Sequence, residues 1–193
     1  MPSNTTTDNP AKILDAKAKA KVAMQKELGW PLEPKKPMLC IPTGLTEELG
    51  GPLFKKLVKG LISLDVQVLI LGKGSASYGE MVSKLSSEKN HQFAIVPNDE
   101  TSQKQMFQAA DMALFLSNPK GLKELQNCLR NGAVPISPIC NELEKYNAIQ
   151  ESGNAFIYDK LDEWSAFAAI VRAVETHVFP FDWKTIQKHC IEG

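Results

Sequence analysis

The sequence predicts an α/β protein built on a single doubly wound, Rossmann-like parallel sheet of about six strands. Three observations predict it. Short apolar runs alternate along the chain with segments of helical periodicity. The runs are apolar throughout rather than at every second residue, the pattern of strands covered on both faces. A length of 193 residues suits one well-buried core and is short for two.

Taken in order, residues 1–14 are polar and rich in Thr, Asn and Pro, which predicts a flexible lead before a domain spanning residues 15–193. Asp15 is placed to cap a helix running to Leu28, with Gly29 stopping it and its lysines forming a solvated face. After the loop "WPLEPKKP" come six strand-like runs, "MLCI", "VQVLIL", "QFAIV", "MALFL", "AVPI" and "AFIY", each followed by a helical pattern, giving six βα units. Leu53, Phe54, Leu57, Val58, Leu61 and Ile62 recur at three and four residues, as do Trp164, Phe167, Ala168, Val171 and Val174. The closing "FPFDWKTIQKHCIEG" reads as one last helix set off by Pro180.

Composition narrows the function classes. The 22 basic and 22 acidic side chains cancel, so no electrostatic footprint for nucleic acid or an anionic membrane follows. No run approaches the length of a membrane span, and "MPSNTTTDNP" lacks the basic and apolar regions of a secretory signal, so a cytoplasmic protein is expected. Cys40, Cys128, Cys140 and Cys190 show no C-x-x-C spacing and read as small buried hydrophobes. His91, His177 and His189 share no metal-ligand spacing and read as separate surface or helix-end imidazoles, so neither a metal nor a cofactor is expected.

In a doubly wound sheet, ligands bind outside the carboxyl ends of the strands, which directs attention to the loops that follow them. "LILGKGSASYGE" places Gly72 and Gly74 in the turn after the second run, where backbone can approach a ligand and Lys73 or Ser75 can meet an anion. It matches neither G-x-G-x-x-G nor G-x-x-x-x-G-K-[ST], and a tight turn that needs small residues explains it equally well. No G-x-S-x-G elbow occurs, so no catalytic nucleophile is assigned. Asp99, Glu100, Asp159 and Asp162 lie in these loops and read mostly as helix caps or solvated ends.

Read together, the loops resemble the C-terminal, donor-binding domain of bacterial glycogen and plant starch synthases, retaining glucosyltransferases of GT-B architecture. "KAKAKVAMQKELGWPLEPKKPMLCIPTGLTEELGG" is similar to that family's K-x-x-L-Q-x-E-L-G-L-P helix, strand and S-R-L-x-x-Q-K-G phosphate motif. "LDVQVLILGKGSASYGE", "QAADMALFLS", "LRNGAVPI" and "ESGNAFIYD" follow in the family's order. The resemblance implies substrate-contacting positions at Thr43, Gly44, Gly72, Lys73, Gly74, Asn98, Asn118 and Gly121. It also exposes departures. S-R-L-x-x-Q-K-G lands without gaps on Thr43 to Gly50, with the Arg on Gly44 and the Lys on Leu49. The glutamate of E-P-C-G-L has no counterpart in "LSNPKGL", R-x-T-G-G-L is replaced by "SPICNEL", and the base-stacking aromatic falls on Asn98.

The two missing cations are those implied to neutralise the donor diphosphate, a task Gly and Leu cannot perform. The resemblance therefore implies a stand-alone, catalytically degenerate donor-domain homologue in glycogen biosynthesis, a pseudoenzyme acting as a binding or regulatory piece or as half of a split enzyme. Two alternatives stay open: an active subunit that uses ADP-glucose or UDP-glucose with a separate acceptor-domain partner, and a purely structural interaction module. The implied partners are a weakly bound nucleotide sugar and a protein at the cleft face, with apolar side chains near Trp183, Phe179 and Phe181 left uncovered. Restoring the cations with Gly44→Arg and Leu49→Lys is expected to recover nucleotide affinity if the pocket persists.

Overall fold

The computed structural model describes residues 9–193. Its elements run α1 (Pro10–Glu27), β1 (Met38–Ile41), α2 (Gly51–Ser63), β2 (Gln67–Leu71), α3 (Ala76–Glu88), β3 (Phe93–Val96) and α4 (Glu100–Ala109). They continue through β4 (Met112–Leu114), α5 (Lys123–Arg130), β5 (Val134–Pro138), β6 (Phe156–Tyr158), α6 (Glu163–His177) and α7 (Pro180–Glu192). All six strands are parallel and lie in the order β3-β2-β1-β4-β5-β6. The order reverses between β1 and β4, and the crevice at their carboxyl ends is where this class of sheet receives ligands.

The strands sit where the apolar runs predict, and every residue of β1, β2, β4, β5 and β6 is buried. Helices α2, α3 and α6 cover one face, and α1, α4, α5 and α7 cover the other. Five strands lead into helices. The sixth expected unit is different: residues 139–155 carry β5 to β6 through turns and isolated bridges rather than a helix.

The first helix departs furthest from expectation. It begins at Pro10, capped by Asn9 through a 3.0 Å bond from the Ala11 amide, not at Asp15. Of the expected flexible lead, residues 1–8 lie outside the described residues, and residues 10–14 are helix. Nor do its lysines all face solvent. Lys17, Lys21 and Gln25, four residues apart, form a buried polar stripe. Lys17 donates to the Phe107 and Gln108 carbonyls at 3.1 and 3.3 Å, closing the carboxyl end of α4. Lys21 donates to the Pro34 and Lys36 carbonyls, both at 3.1 Å, and pairs with Asp111 at 2.5 Å. Gln25 bonds Gln67 at 2.8 Å, which fixes α1 against the start of β2.

The carboxyl-terminal part divides as well. Trp183 is buried against Phe156 and His177, whereas Phe179 and Phe181 are exposed beside Val178. These two rings stand at the amino-terminal edge of the sheet, where α6 ends. Trp164 is 79% exposed although it shares the spacing of the α6 core face, and that face is made instead by Ala166, Ala169, Ile170 and Ala173. All four cysteines are buried and free. His177 is not an isolated imidazole, because its Nε2 lies 3.4 Å from Asp111.

Burial lowers the Lys17 ammonium to about 8, against the partly opposing attraction of Asp111. Since the folded value lies below the unfolded one, the unfolded chain holds a proton that the folded chain sheds between about pH 8 and 10.5. Stability should therefore rise with pH across that window, by an amount on the order of 3 kcal/mol if this group acts alone. Urea midpoints at pH 7 and pH 10 should converge on those of a Lys17→Met variant only at the alkaline end. Parallel behaviour at both pH values would show that the charge of Lys17 is not penalised.

Candidate functional site

The site is assembled by the loops at the carboxyl ends of β1, β2, β4 and β5. Its first feature is backbone packed on backbone. The loop after β1 meets the loop after β2 through two bonds, Leu45 amide to Lys73 carbonyl and Ser75 amide to Leu45 carbonyl, each 3.2 Å. This contact extends the parallel pairing of the two strands by a bridge between Leu45 and Gly74.

Glycine is what permits it. Gly44 has φ +66, and a Cβ there would stand 1.7 Å from the Lys73 carbonyl oxygen. At Gly74, with φ +139, a Cβ would stand 2.2 Å from the Leu45 carbonyl oxygen. Gly72, the residue just past β2, donates its amide to the Val96 carbonyl at 2.7 Å. The three glycines are thus packed against neighbouring backbone. The same geometry changes the outlook for Gly44→Arg: no side chain fits at position 44 unless the loop after β2 moves away.

A second set of contacts surrounds the start of α2. Gly50 caps the helix at φ +87 and approaches Leu116 in the loop after β4, at the point where the strand order reverses. The Gly51 amide donates to the Thr46 carbonyl at 2.8 Å, and Pro52 has no amide to offer. Leu49 donates its amide to the Thr46 hydroxyl at 3.0 Å. Thr43 is buried, its hydroxyl turned back onto the Gly44 carbonyl at 3.0 Å. Tyr78 of α3 seals the underside, donating its hydroxyl to Glu47 at 2.6 Å with Lys55 4.8 Å above its ring. The bond to Glu47, helped by burial, pushes the Tyr78 hydroxyl up to about 12.

The third set closes the loop after β4. Asn118 donates to the Ile139 carbonyl at 3.2 Å and accepts from the Lys120 amide at 2.9 Å. The Gly121 amide, just before α5, donates to Glu142 Oε1 at 2.9 Å, and Gln126 donates to Glu142 Oε2 at 3.0 Å. Glu142 stands in the segment "SPICNEL", so one carboxylate from the loop after β5 occupies the amino end of α5.

Electrostatically the site is nearly self-compensated. Lys73 faces Glu124 at 3.5 Å in a partly exposed pair. Asn98 accepts from Gln103 at 2.8 Å, beside Asp99, which caps α4 through the Ser102 amide at 2.8 Å. The Ser102 bonds hold the Asp99 carboxyl below its ordinary range, and Ser165 does the same for Asp162 at the start of α6. A cavity of about 250 Å³ lies between the loop after β2, the first turns of α3 and Ile95 of β3. Gly72, Lys73 and Gly74 line it, whereas Thr43, Gly44, Asn98, Asn118 and Gly121 do not. Among the described residues no group of His, Cys, Asp and Glu is arranged to hold a metal, and no helix is long and apolar enough to cross a membrane.

Sequence reasoning missed Glu142, Glu47, Tyr78 and Glu124. The only signal for Glu142 was that a carboxylate replaces a glycine in "SPICNEL".

With this geometry in view, the comparisons with known proteins agree. No family model matches the chain. It is 30% identical over 179 residues to a glycogen synthase of Thermosipho melanesiensis, covering 89% of this chain and 36% of that protein. It is 28% identical over 192 residues to glycogen synthase 1 of Synechocystis, covering 95% of this chain and 40% of that protein. The chain therefore spans well under half the length of these relatives. Among solved structures, the catalytic domain of starch synthase IV from Arabidopsis thaliana, bound to ADP and acarbose, superposes with a TM-score of 0.78 at 17% identity over 100% of this chain and 42% of that one. Anabaena HepE in complex with UDP and glucose superposes with a TM-score of 0.65 at 10% identity, over 90% of this chain and 47% of that one. Both share the α/β fold.

The glycine contacts make a graded prediction. Gly44→Ala should destabilise by roughly 2 kcal/mol or more, since strain at positive φ is joined by a collision with backbone. Gly121, at φ +74 with open space around a Cβ, carries only the conformational cost, so Gly121→Ala should lose about 1 kcal/mol. Denaturant unfolding of both variants gives the comparison, and equal losses would show that the contact between the loops is unimportant.

Proposed function

The chain belongs with the glycogen and starch synthases, as a relative of their C-terminal domain, and on that premise we propose that it is a donor-side domain of glucan metabolism that has lost glucosyl transfer. Its carboxyl edge is a binding or regulatory surface for which a nucleotide sugar is a weak ligand. The ADP in the starch synthase structure and the UDP in the HepE structure support a nucleotide sugar as the ligand class.

One observation carries the reading: the polar groups that would meet a diphosphate are engaged within the chain. Gly44 and Leu49 stand where the family resemblance places Arg and Lys. The Gly51 amide is held by Thr46, and the Gly121 amide by Glu142. Lys73 is directed to Glu124. A carboxylate fixed at the amino end of α5 also repels a phosphate from the direction in which helix amides would attract it. The cavity of about 250 Å³ beside Ile95, lined also by Leu45, Ile70 and Val82, supports an apolar contribution to ligand binding.

A protein partner over this edge belongs to the same reading. Ile139, Leu161 and Trp164, between 58% and 79% exposed, rim the carboxyl ends of β5 and β6 and support a covered surface there. Asn98 and Asn118 complete the ligand-contacting set in this proposal, and Thr43, buried with its hydroxyl on the Gly44 carbonyl, shapes the loop beneath it.

Calorimetry with ADP-glucose and UDP-glucose should show binding weaker by about two to four orders of magnitude than two charge-assisted phosphate contacts would provide. Glu142→Gln, which removes the charge and keeps an acceptor, should tighten ADP-glucose binding by roughly tenfold. Incorporation of labelled glucose into glycogen by the unmodified chain should match a heat-killed control. Turnover above that control would overturn the proposal and make the chain an active subunit.

A further inference from the structure

We propose a second, anion-binding site on the opposite edge of the sheet, one that takes a small organic phosphate. A groove of about 480 Å³ runs between α1, α4 and the end of α5. Lys12, Lys17, Lys104 and Arg130 line it together with Gln108 and Asn131, and among the described residues no carboxylate lines it. In a chain whose charges sum to zero, Lys12, Lys104 and Arg130 gathered around one groove form a local field that the composition hides, with Asp111 acting on Lys17 beneath them.

Helix ends explain only part of this arrangement. Lys17 closes the carboxyl end of α4, and Arg130 occupies the last turn of α5, where a cation is favourable. Lys12 is different. It stands in the first turn of α1, where the helix dipole opposes a cation and where no acidic residue is present. Neither Lys12, Lys104 nor Arg130 enters an ion pair among the described residues. The three heads therefore ring the groove with unspent donors, while Lys17 forms a floor with its ammonium held by two carbonyls.

The ligand class follows from size and charge. Three unpaired cations suit a dianion, and a compact phosphate presents enough oxygens to accept from several donors at once. Ala16 and Ala20 leave space along α1 beside the charges, room for the carbon body of a phosphorylated metabolite. A free inorganic phosphate shares the charge but not the body. The groove lies where α4 and α5 feed β4 and β5, remote from the carboxyl-edge loops, so this inference is independent of the proposed function.

The test is a titration of the full chain, followed by amide NMR, with inorganic phosphate and with a hexose monophosphate at constant ionic strength. Saturable shifts at Lys12, Lys104, Gln108 and Arg130 are expected, with the hexose monophosphate tighter than inorganic phosphate. Lys12→Ala, Lys104→Ala and Arg130→Ala combined should weaken both by at least about tenfold. All three side chains are exposed, so the fold should persist, and Lys104→Ala alone provides a milder arm with a smaller loss in the same direction. Shifts that never saturate, that are unchanged in the variants, or that centre on the loops after β1 and β2 would overturn the proposal.

Discussion

The buried carboxylate of Asp111 is the constraint from which the rest of the architecture follows. It accepts the Met38 amide at 2.8 Å, so one side chain ties the first residue of β1 to the residue before β4. Lys21 of α1 and His177 at the end of α6 reach the same oxygen. An isolated carboxylate here would cost several kcal/mol in lost hydration. Burial pushes its pKa up, but His177 and Lys21 outweigh burial and hold the acid below its ordinary range. Removing Lys21 would strip the buried carboxylate of its lysine partner, and removing His177 would open its contact with α6, so the four elements are mutually dependent. β1 and β4 are the strands between which the order reverses, so this carboxylate anchors the amino ends of the pair whose carboxyl ends flank the crevice.

That dependence explains which parts of the fold were legible in the sequence. Strands buried on both faces declare themselves as unbroken apolar runs, and all six were readable. The first helix was not, because its inward stripe is Lys17, Lys21 and Gln25, and periodicity of apolar residues carries no trace of lysines directed at carbonyls. Their meaning depends on Phe107, Gln108 and Asp111, about ninety residues away in sequence. Trp164 misleads in the opposite direction. It keeps the spacing of a core position, but it lies in the first turn of α6, beyond the helices that cover the alanine face.

The candidate site divides along the same line. That the loops after the strands would form it is a consequence of parallel topology, and the glycines of "GKG" mark the tight turn correctly as a place of close approach. What they approach depends on a partner 29 residues earlier in the chain, since the Lys73 carbonyl faces Gly44 and Leu45. Likewise Glu142 and Gly121 are 21 residues apart and meet only because β4 and β5 are neighbours. Local sequence shows which residue types are missing from a phosphate site. It does not show what has been put in their place.

The replacement is more informative than the loss. Gly121 is exposed, so water alone would satisfy its amide, and burial does not demand the contact with Glu142. The contact instead joins the segment after β5 to the segment after β4, assisted by the bond from Asn118 to Ile139. An internal carboxylate holds these two loops together. The loops after β1 and β2 are held in the same way, through backbone bonds that need Gly44 and Gly74. A site stripped only of its cations would retain loops free to rearrange around a ligand. Here the loops are also tied to one another, so on the proposed reading a ligand competes with a covalently attached carboxylate whose effective concentration never falls. On the proposed reading, this intramolecular competition adds to the larger loss that follows from the two missing positive charges.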